Sequence, residues 1–590
     1  MRFNYIDVLK AFAIIAVVLY HAGLMTYGYL GVDLFLVIAG YLTTKKLITK
    51  FLTPEKLAGG GALYVKFEIS RVIRLLPPLL VVGLVSMLWG YFTMLPDDYE
   101  NLSQSVVATN FFGNNILAAI TTKNYWDVVN EYKPLMHTWY VGVVMQFYLI
   151  YPLLFFIAKS DKRHTNRTLL TIIALLAVFS LLFYFMTTDA AARFYYLPTR
   201  FYEFAFGGIV AIVWKPEEHN RPIPQWLSYL SYVLILALMA FNSDFPPANI
   251  RLVLVVGLST LLVMSSSVLE NRITGNGVLA KVGAASYSIF VWHQVLLAFY
   301  RYTYKSQFTF ADYSLFLLLV ALLSFLSYIF IEQKTNEWLK DKTCKVIFCS
   351  TVVLLWIGLT GYAAYIYKKG GVVRDVPELY ISKDDRVDHK VYNDKIYQLD
   401  KPFETKKRHW LVVGNSFGRD FANVILESSI ADSIELSYIY IKDINISEKE
   451  KRFKTADKVF ISTFSSIVID EEQIKRVENL CLKNGLTDNL IFVGTKNFGE
   501  SNGQFYKNRF RKDYFEQRTK MEEGYANLNE LLKSRYGSRY LDIIGLVIDE
   551  NGSVPVFTPD HHFISQDCRH FSKGGAVYFA QLIDWNKYLE

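Results

Sequence analysis

The chain reads as a polytopic α-helical membrane domain of about eleven helices, followed by an extracytoplasmic α/β domain with a parallel sheet. Three observations predict this. Residues 1–367 hold repeated apolar runs of about 20 residues, the length that crosses roughly 30 Å of hydrocarbon. Residues 368–590 have the composition of a soluble protein and alternate short apolar strands with helical patterns. Counted in order, the basic short loops of the first region all fall on the same side as the N-terminus.

The predicted membrane helices are 5–25, 28–48, 71–95, 137–158, 168–187, 197–214, 225–241, 250–269, 284–303, 311–332 and 346–367. The stretch 101–121 is apolar but carries Asn110, Asn114 and Asn115, and reads as re-entrant or interfacial. The loop after the second helix holds Lys45, Lys46, Lys50, Lys56 and Lys66, and Arg71 and Arg74 open the third. Later basic loops run from Lys159 to Arg167, Lys215 to Arg221, Arg272 to Lys281 and Lys334 to Lys345. Lys and Arg mark the cytoplasmic face. Eleven crossings therefore put the N-terminus in the cytoplasm and residues 368–590 outside it.

Domain boundaries follow from composition: a membrane domain over 1–340, an additional helix within 341–367, a polar linker over 368–409 and an α/β domain over 410–590. Within the last, the expected strands are Trp410–Val413, Ser433–Ile441, Lys458–Ile461, Asn489–Val493 and Arg539–Leu541. Helical stretches are expected at Arg419–Ser428, Glu471–Asn484 and Asp513–Arg535. At 590 residues more than one domain is expected. The hydrophobic share of 52% is concentrated in the first region, and the net charge of +8 follows from membrane topology and not from nucleic-acid binding. The first apolar segment has no small-residue cleavage site and carries ionisable residues, so it reads as a helix and not a cleaved leader. The four cysteines have no metal-ligand spacing and no metal is expected; Cys481 and Cys568 can pair as a disulfide if their domain is extracytoplasmic.

Two sets of residues can carry chemistry. In the first helix Lys10 and His21 are eleven residues apart, which puts them roughly 20° apart on one face and roughly 16 Å apart along the axis. Ionisable groups within a span mark a function or a polar cavity, although Lys10 is close enough to the helix end to reach the interface and His21 can be an interfacial histidine. Arg71 and Arg74 share a face and suit the phosphates of a nucleotide-bearing donor such as coenzyme A; anchoring at the cytoplasmic face is an equal reading. Arg200 and Glu203 form an i,i+3 pair, and Trp292-His293 places another histidine within a helix; these read as buried and structural.

The second set lies in the C-terminal domain. Gly414-Asn415-Ser416 follows the apolar run Trp410–Val413, and Asp567-Cys568-Arg569-His570 lies near the end of the chain. A serine at a strand-to-helix turn exposes its hydroxyl, and its backbone N–H at a helix N-terminus can stabilise an oxyanion. His570 is placed to take the serine proton, and Asp567 to hold the imidazole tautomer. Asn497, in Gly494-Thr495-Lys496-Asn497, is the weaker candidate for a further oxyanion donor, an Asn-Phe-Gly turn being the other reading.

Residues 1–340 resemble the acyltransferase-3 membrane family. The resemblance rests on Asp7-Val8-Leu9-Lys10 leading to His21, Gly31-Val32-Asp33-Leu34-Phe35 continuing to Gly40-Tyr41, and Arg71-Val72-Ile73-Arg74. It continues through Pro134-Leu135-Met136-His137-Thr138-Trp139, Gln146-Phe147-Tyr148, Leu197-Pro198-Thr199-Arg200-Phe201-Tyr202-Glu203, Ser286-Tyr287-Ser288 with Trp292-His293, and Phe330-Ile331-Glu332. The chain departs from the family pattern at Lys10 (usually Arg), Ala39 (usually Ser) and Val144-Met145 (usually Glu-Glu). Lys10 keeps the charge but not the planar fork. Gly414–Asp420 and Asp567–Ala576 resemble the first and last blocks of SGNH hydrolases and acyltransferases, with Asn415 in place of the usual Asp, which implies a flavodoxin-like parallel sheet.

Together these resemble the fused bacterial envelope O-acetyltransferases. The resemblance implies acetyl-CoA as acyl donor at the cytoplasmic face, with Arg71, Arg74 and Lys10 handling it. It implies acyl transfer involving His21, an acyl-enzyme at Ser416 with His570 and Asp567, and an extracytoplasmic glycan as acceptor, either lipopolysaccharide O-antigen or other surface polysaccharide, or peptidoglycan. An extracytoplasmic carbohydrate esterase on a membrane anchor is the alternative.

Overall fold

Hydrocarbon offers no partner for backbone N–H and C=O groups, so apolar segments that enter it must satisfy them internally as helices. The computed structural model describes residues 4–51, 60–121, 128–159, 165–214, 223–242, 245–269, 277–305, 307–383, 389–465 and 469–589. Two compact units emerge: Met1–Gly90, Leu102–Arg301 and Gln307–Ala364 form one, and Tyr91–Asn101, Tyr302–Ser306 and Tyr365–Glu590 the other. The first holds helices and no strand among the described residues.

Among the described residues, six helices are long and apolar enough to cross a membrane: Gly61–Thr93, Met136–Ala158, Thr165–Met186, Ala248–Ser265, Phe310–Gln333 and Lys342–Lys368. Gly277–Ala284 and Ser286–Thr303, bent by 67° to one another, make a seventh if they act as one span. The chain is a multi-pass membrane protein. The other expected spans are also helical, at Asn4–His21, Gly31–Phe51, Leu197–Val213 and Gln225–Ala240. They are short, or carry charges such as Asp7, Lys10, Asp33, Arg200 and Glu203, so length and composition support six or seven crossings where eleven were expected. Of the basic loop residues behind the expected orientation, Lys56, Lys215, Arg221 and Arg272 lie outside the described residues.

One further expectation needs correction. The third helix begins at Gly60, not 71, so Arg71 and Arg74 stand well inside a 34-residue helix and not at its start. The polar residues ahead of Arg71, Lys66 and Glu68 among them, belong to the helix and not to the loop. The asparagine-rich stretch forms the helices Pro96–Asn110 and Asn114–Thr121, broken at Phe112, whose φ is 55°. Asn114 donates to Leu135 O at 2.9 Å and Thr138 Oγ1 at 2.8 Å, and Asn115 exchanges hydrogen bonds with Gln146. The asparagines of this stretch are satisfied by side-chain and backbone partners on neighbouring segments.

Two helices approach closely because glycines face backbone. A Cβ on Gly40 would lie 2.0 Å from Phe204 O, and one on Gly207 would lie 2.0 Å from Val37 O. Small residues at such crossings are how helices associate in lipid, where the hydrophobic effect between them is absent.

The second unit carries the α/β fold. Its strands are β1 (Arg408–Gly414), β2 (Ile434–Tyr440), β3 (Lys458–Ser462), β4 (Leu490–Val493), β5 (Arg518–Lys520), β6 (Tyr540–Leu541) and β7 (Ser553–Pro555). Five form one parallel sheet in the order β2-β1-β3-β4-β6, and β5 and β7 form an antiparallel pair. Alternation along β1 divides the core. Trp410 and Val412 pack with Phe421, Phe460 and Trp585 on one face, while Leu411 and Val413 pack with Ile461, Phe492 and Leu532 on the other. Successive side chains of a strand point to opposite faces, and apolar residues on both sides are the mark of a sheet covered by helices on each face.

The stretch expected as one helix over Asp513–Arg535 is a short turn of helix, strand β5 and then a helix over Glu523–Tyr536, because Arg518–Lys520 pairs with Ser553–Pro555. The segment expected as a linker, 368–409, contributes buried residues. Val372, Val376, Leu379 and Ile381 pack with Tyr506, Val556 and Phe563, and Ile396 enters the main core. Cys481 and Cys568 are both buried free thiols, so the possible disulfide is not formed. Cys481 packs into the core with Leu411, whereas Cys568 Sγ lies 3.1 Å from Asn502 Oδ1.

Candidate active site

Strand order reverses between β1 and β3: β2 lies on one side of β1, and β3 and β4 continue on the other. In an open α/β sheet, ligands bind at the carboxyl ends of strands at such a switch point. Ser416 stands there, directly after β1, as the first residue of the helix Ser416–Leu426. Gly414 makes the turn possible, since a Cβ at that position would lie 2.3 Å from Ser462 O and 2.7 Å from Gly418 Cα. Asn415 caps the helix, its Oδ1 accepting from Phe417 N at 2.9 Å. Its Nδ2 donates to Thr463 O at 2.9 Å and Ser465 Oγ at 2.7 Å, tying the serine turn to the loop after β3.

The second half of the site arrives from the far end of the sequence. His570 Nε2 is 2.7 Å from Ser416 Oγ, and His570 Nδ1 is 2.7 Å from Asp567 Oδ2. Asp567 Oδ1 accepts from the backbone N–H of His570 at 2.8 Å and of Arg569 at 3.0 Å. Desolvation works against the Asp567 charge, but the His570 ring and these hydrogen bonds outweigh it and hold the carboxyl well below the ordinary carboxylate range. A hydroxyl, an imidazole and a carboxylate connected in this order can activate the hydroxyl as a nucleophile.

Behind these three lies a set of buried charges that sequence reasoning missed. Asp420, one helical turn after Ser416, accepts from Lys496 Nζ at 2.8 Å and from Phe571 N at 3.0 Å through Oδ2. Its Oδ1 accepts from Arg419 Nη2 at 2.9 Å. Burial pushes the Asp420 carboxyl up, but Lys496 and Arg419 reverse this and keep it below its ordinary value; burial lowers the Lys496 ammonium in spite of Asp420. The available signal was the i,i+4 spacing of Ser416 and Asp420, which puts both on one helix face. Asn497 Oδ1 accepts from Gly499 N at 3.0 Å and Glu522 N at 3.1 Å, while its buried Nδ2 has no acceptor among the described residues. His561 and His562 are loop residues stacked on Phe515 and Tyr380.

The helical unit gathers the remaining candidates. Lys10, Arg71 and Arg74 line one cavity of about 140 Å³, together with Tyr140, Tyr148 and Tyr287. Ala39 and Val144, two of the departures from the family pattern, line it too. Lys10 Nζ is 3.2 Å from Asp7 Oδ1. Arg71 stacks on Phe67 and Tyr148, 4.7 and 4.6 Å from the ring centroids, and its buried Nε has no acceptor among the described residues. His21, the last residue of its helix, is not among those lining this cavity. Its ring lies 5.1 Å from that of His293, which is 5.3 Å from that of His137, so three helical segments bring three histidines together. His21 also lines a smaller cavity with Asp33, Trp139 and Arg200. Arg200 pairs with Glu203 as expected, at 3.0 Å, and also with Asp33 at 2.5 Å.

A Ser–His–Asp arrangement at the switch point of an α/β sheet, joined to a multi-pass helical unit, defines a membrane protein equipped for acyl chemistry. The family profile for an acyltransferase domain (Acyl_transf_3) matches residues 3–332, and the chain belongs to this family. It is 26% identical over 360 residues to O-acetyltransferase OatA of Staphylococcus aureus strain NCTC 8325, an alignment covering 56% of this chain and 57% of the relative. It is 27% identical over 380 residues to a putative O-acetyltransferase of S. aureus strain COL, covering 60% of this chain and 61% of the relative. The chain thus spans about three-fifths of the length of these curated relatives. No solved structure matches it.

Proposed function

We propose that the protein is an O-acetyltransferase that takes an acetyl group from cytoplasmic acetyl-CoA, passes it across the membrane and places it on hydroxyls of an extracytoplasmic glycan. The acceptor favoured is lipopolysaccharide O-antigen or another surface polysaccharide, with peptidoglycan the alternative. The observation that carries the reading is the continuous hydrogen-bonded chain Ser416–His570–Asp567 in a protein of the acyltransferase family. The parallel sheet, with Ser416 after its first strand and His570 near the chain end, supports an SGNH-hydrolase-like fold for the second unit.

In this reading Ser416 Oγ attacks the acetyl carbonyl while His570 Nε2 takes its proton. The group that delivered the acetyl departs with that proton, leaving an acetyl ester on Ser416. A glycan hydroxyl then gives its proton to His570 and attacks the ester, and Ser416 regains the proton as the O-acetyl product leaves. Asp567 stays ionised throughout and stabilises the imidazolium. The Ser416 backbone N–H and the unpaired Asn497 Nδ2 are the donors available to an oxyanion. Acetyl-CoA supplies a thioester-activated acetyl group. Lys10, Arg71 and Arg74 suit its phosphates, and the unpaired Arg71 Nε in their cavity is the observation that fits an anion there. In the helical unit the movement of the acetyl group uses His21.

Replacing Ser416 and His21 separately by Ala, and measuring O-acetyl groups on isolated glycan by NMR, tests the relay. Acetylation is expected to disappear in both. A rise in the Ser416→Ala strain would make the second unit an esterase, and retention in the His21→Ala strain would make the helical unit an anchor. A membrane-impermeant protease that fails to reach residues 368–590 on spheroplasts would remove the transfer across the bilayer.

A further inference from the structure

His570 sits in a loop, yet the backbone on both sides of it is held by one buried ion pair. Lys496 Nζ donates to Arg569 O at 2.6 Å, immediately before the histidine, and Asp420 Oδ2 accepts from Phe571 N at 3.0 Å, immediately after it. The two side chains are 2.8 Å apart and only 3% and 0% exposed. Lys496 Nζ also lies 3.3 Å from the centroid of Phe417, whose ring stands edge-on to His570 with centroids 5.8 Å apart. Phe417 follows Ser416 in the chain, and Asp420 lies one turn further along the same helix. The pair therefore contacts the residues on either side of His570 and the residue after Ser416, without meeting either reacting atom.

Stability is a weak reason to bury such a pair. Taking two charges out of water costs several kcal/mol per ion, and apolar residues of similar volume often serve as well or better. What apolar residues cannot do is accept from one backbone N–H and donate to one backbone C=O at fixed points. We propose that Lys496 and Asp420 are positioning residues for His570: the pair clamps the backbone on either side of the imidazole and so sets the His570–Ser416 distance. This rests on reading Ser416, His570 and Asp567 as the acyl-transfer triad.

The test uses the full-length chain in detergent. It follows the rate at which a fluorophosphonate labels Ser416 as a function of pH, and kcat and KM for p-nitrophenyl acetate. Two variants are compared with wild type: Asp420→Leu with Lys496→Met, which keeps volume and removes both charges, and Asp420→Asn, which keeps shape. The double variant is expected to melt near wild type and Asp420→Asn, which leaves the Lys496 ammonium buried without its carboxylate, to melt lower but remain folded. Both are expected to label on the order of 100-fold more slowly, as a misplaced group of about 1 Å would cause, to keep KM, and to show a displaced pH profile. A folded variant that labels at the wild-type rate with the wild-type profile overturns the proposal. Unfolding of both variants overturns it too, by assigning the pair to stability. Ser416→Ala separates the two readings: undiminished hydrolysis there removes the nucleophile assignment itself, whereas loss there with full activity in the pair variants removes only the positioning role.

Discussion

In the helical unit Arg200 donates from one nitrogen to two carboxylates, Asp33 at 2.5 Å and Glu203 at 3.0 Å, and all three side chains are no more than 2% exposed. In the α/β domain Arg535 holds Glu471 with two nitrogens, at 2.5 and 2.7 Å, and the two side chains are 34% and 45% exposed. The second geometry is the better fork, but the first is the harder to remove. Removing Arg200 strands two carboxylates where no water can replace it, whereas either partner of the surface pair is solvated at once. Burial, and not the count or shape of contacts, ranks the two. The same contrast separates the reactive groups. Ser416 at a helix start and His570 and Asp567 in a loop are partly open to solvent, so they can be altered with little damage to the fold. Arg200, Asp33 and Glu203 are part of the construction of the bundle.

The largest effect therefore belongs to activity in the domain where stability is least at risk. His570→Ala and Asp567→Asn are each expected to cut acetyl transfer by on the order of 10⁴-fold, about 5.5 kcal/mol of barrier. The melting temperature of the solubilised chain should stay near wild type in His570→Ala and fall modestly in Asp567→Asn, whose carboxylate the fold holds ionised. O-acetyl analysis of glycan from cells making each variant measures the first quantity and a thermal shift the second. An Asp567→Asn protein that transfers acetyl within a few-fold of wild type would remove the carboxylate from the site.

Next comes Arg200→Met, a change of similar volume that leaves Asp33 and Glu203 facing one another without a cation. Breaking a buried ion pair from one side costs about 3–5 kcal/mol, so the variant should accumulate poorly and melt well below wild type. Neutralising all three, with Asp33→Asn and Glu203→Gln added, should restore most of the loss. If the triple variant is no better than the single, the damage came from lost packing against Phe194 and Trp139, which Arg200 overlies at 4.7 and 5.8 Å, and not from charge.

The two regions also differ in how far the amino-acid sequence reveals them. Helix positions in the bundle were legible because an apolar run announces itself, but the number of crossings was not. Gly31–Phe51 and Leu197–Val213 are charged because their charges meet each other, and a window slid along one helix cannot see the partner on the next. In the α/β domain the residue types and order that bring Ser416, Asp567 and His570 together were legible from two short motifs at a strand end and a helix start. The pairing of Asp420 with Lys496 was not, since the two come from different elements and the i,i+4 spacing of Ser416 and Asp420 does not show the partner. The strand β5 was missed for a similar reason. Arg518–Lys520 has no strand-like alternation and is extended only because Ser553–Pro555 pairs with it.

A pH titration of stability sharpens the contrast at smaller magnitude. The Asp567 carboxyl is held below its ordinary value in the folded chain, so its ionised form favours the native state. That contribution is fully present above the unfolded value of about 3.9 and is lost as pH falls through the folded value below it. The gap in melting temperature between wild type and Asp567→Asn should thus hold from neutral pH down to about pH 4–5 and narrow on further acidification. A gap that widens towards low pH would mean that Asp567 takes up its proton more readily in the folded protein, the reverse of what its hydrogen bonds dictate.

The smallest expected effect is at the better-shaped ion pair. Arg535 stands on the helix Glu523–Tyr536 and Glu471 at the start of the helix Glu471–Lys483. The bidentate contact links two elements, which would suggest an important brace if geometry were the measure. Exposed pairs nevertheless contribute about 0.2–1 kcal/mol, because water and salt screen them and ordering two long side chains costs entropy. Arg535→Ala should therefore shift the melting temperature slightly, and Arg535→Lys by about as much, since the fork adds little where solvent competes. Raising the salt concentration should erase the difference between wild type and Arg535→Ala while leaving the deficit of Arg200→Met almost unchanged. If Arg535→Ala proves as damaging as Arg200→Met at any salt concentration, exposure is not what separates the two regions, and the ranking of their ion pairs must be rebuilt on geometry instead.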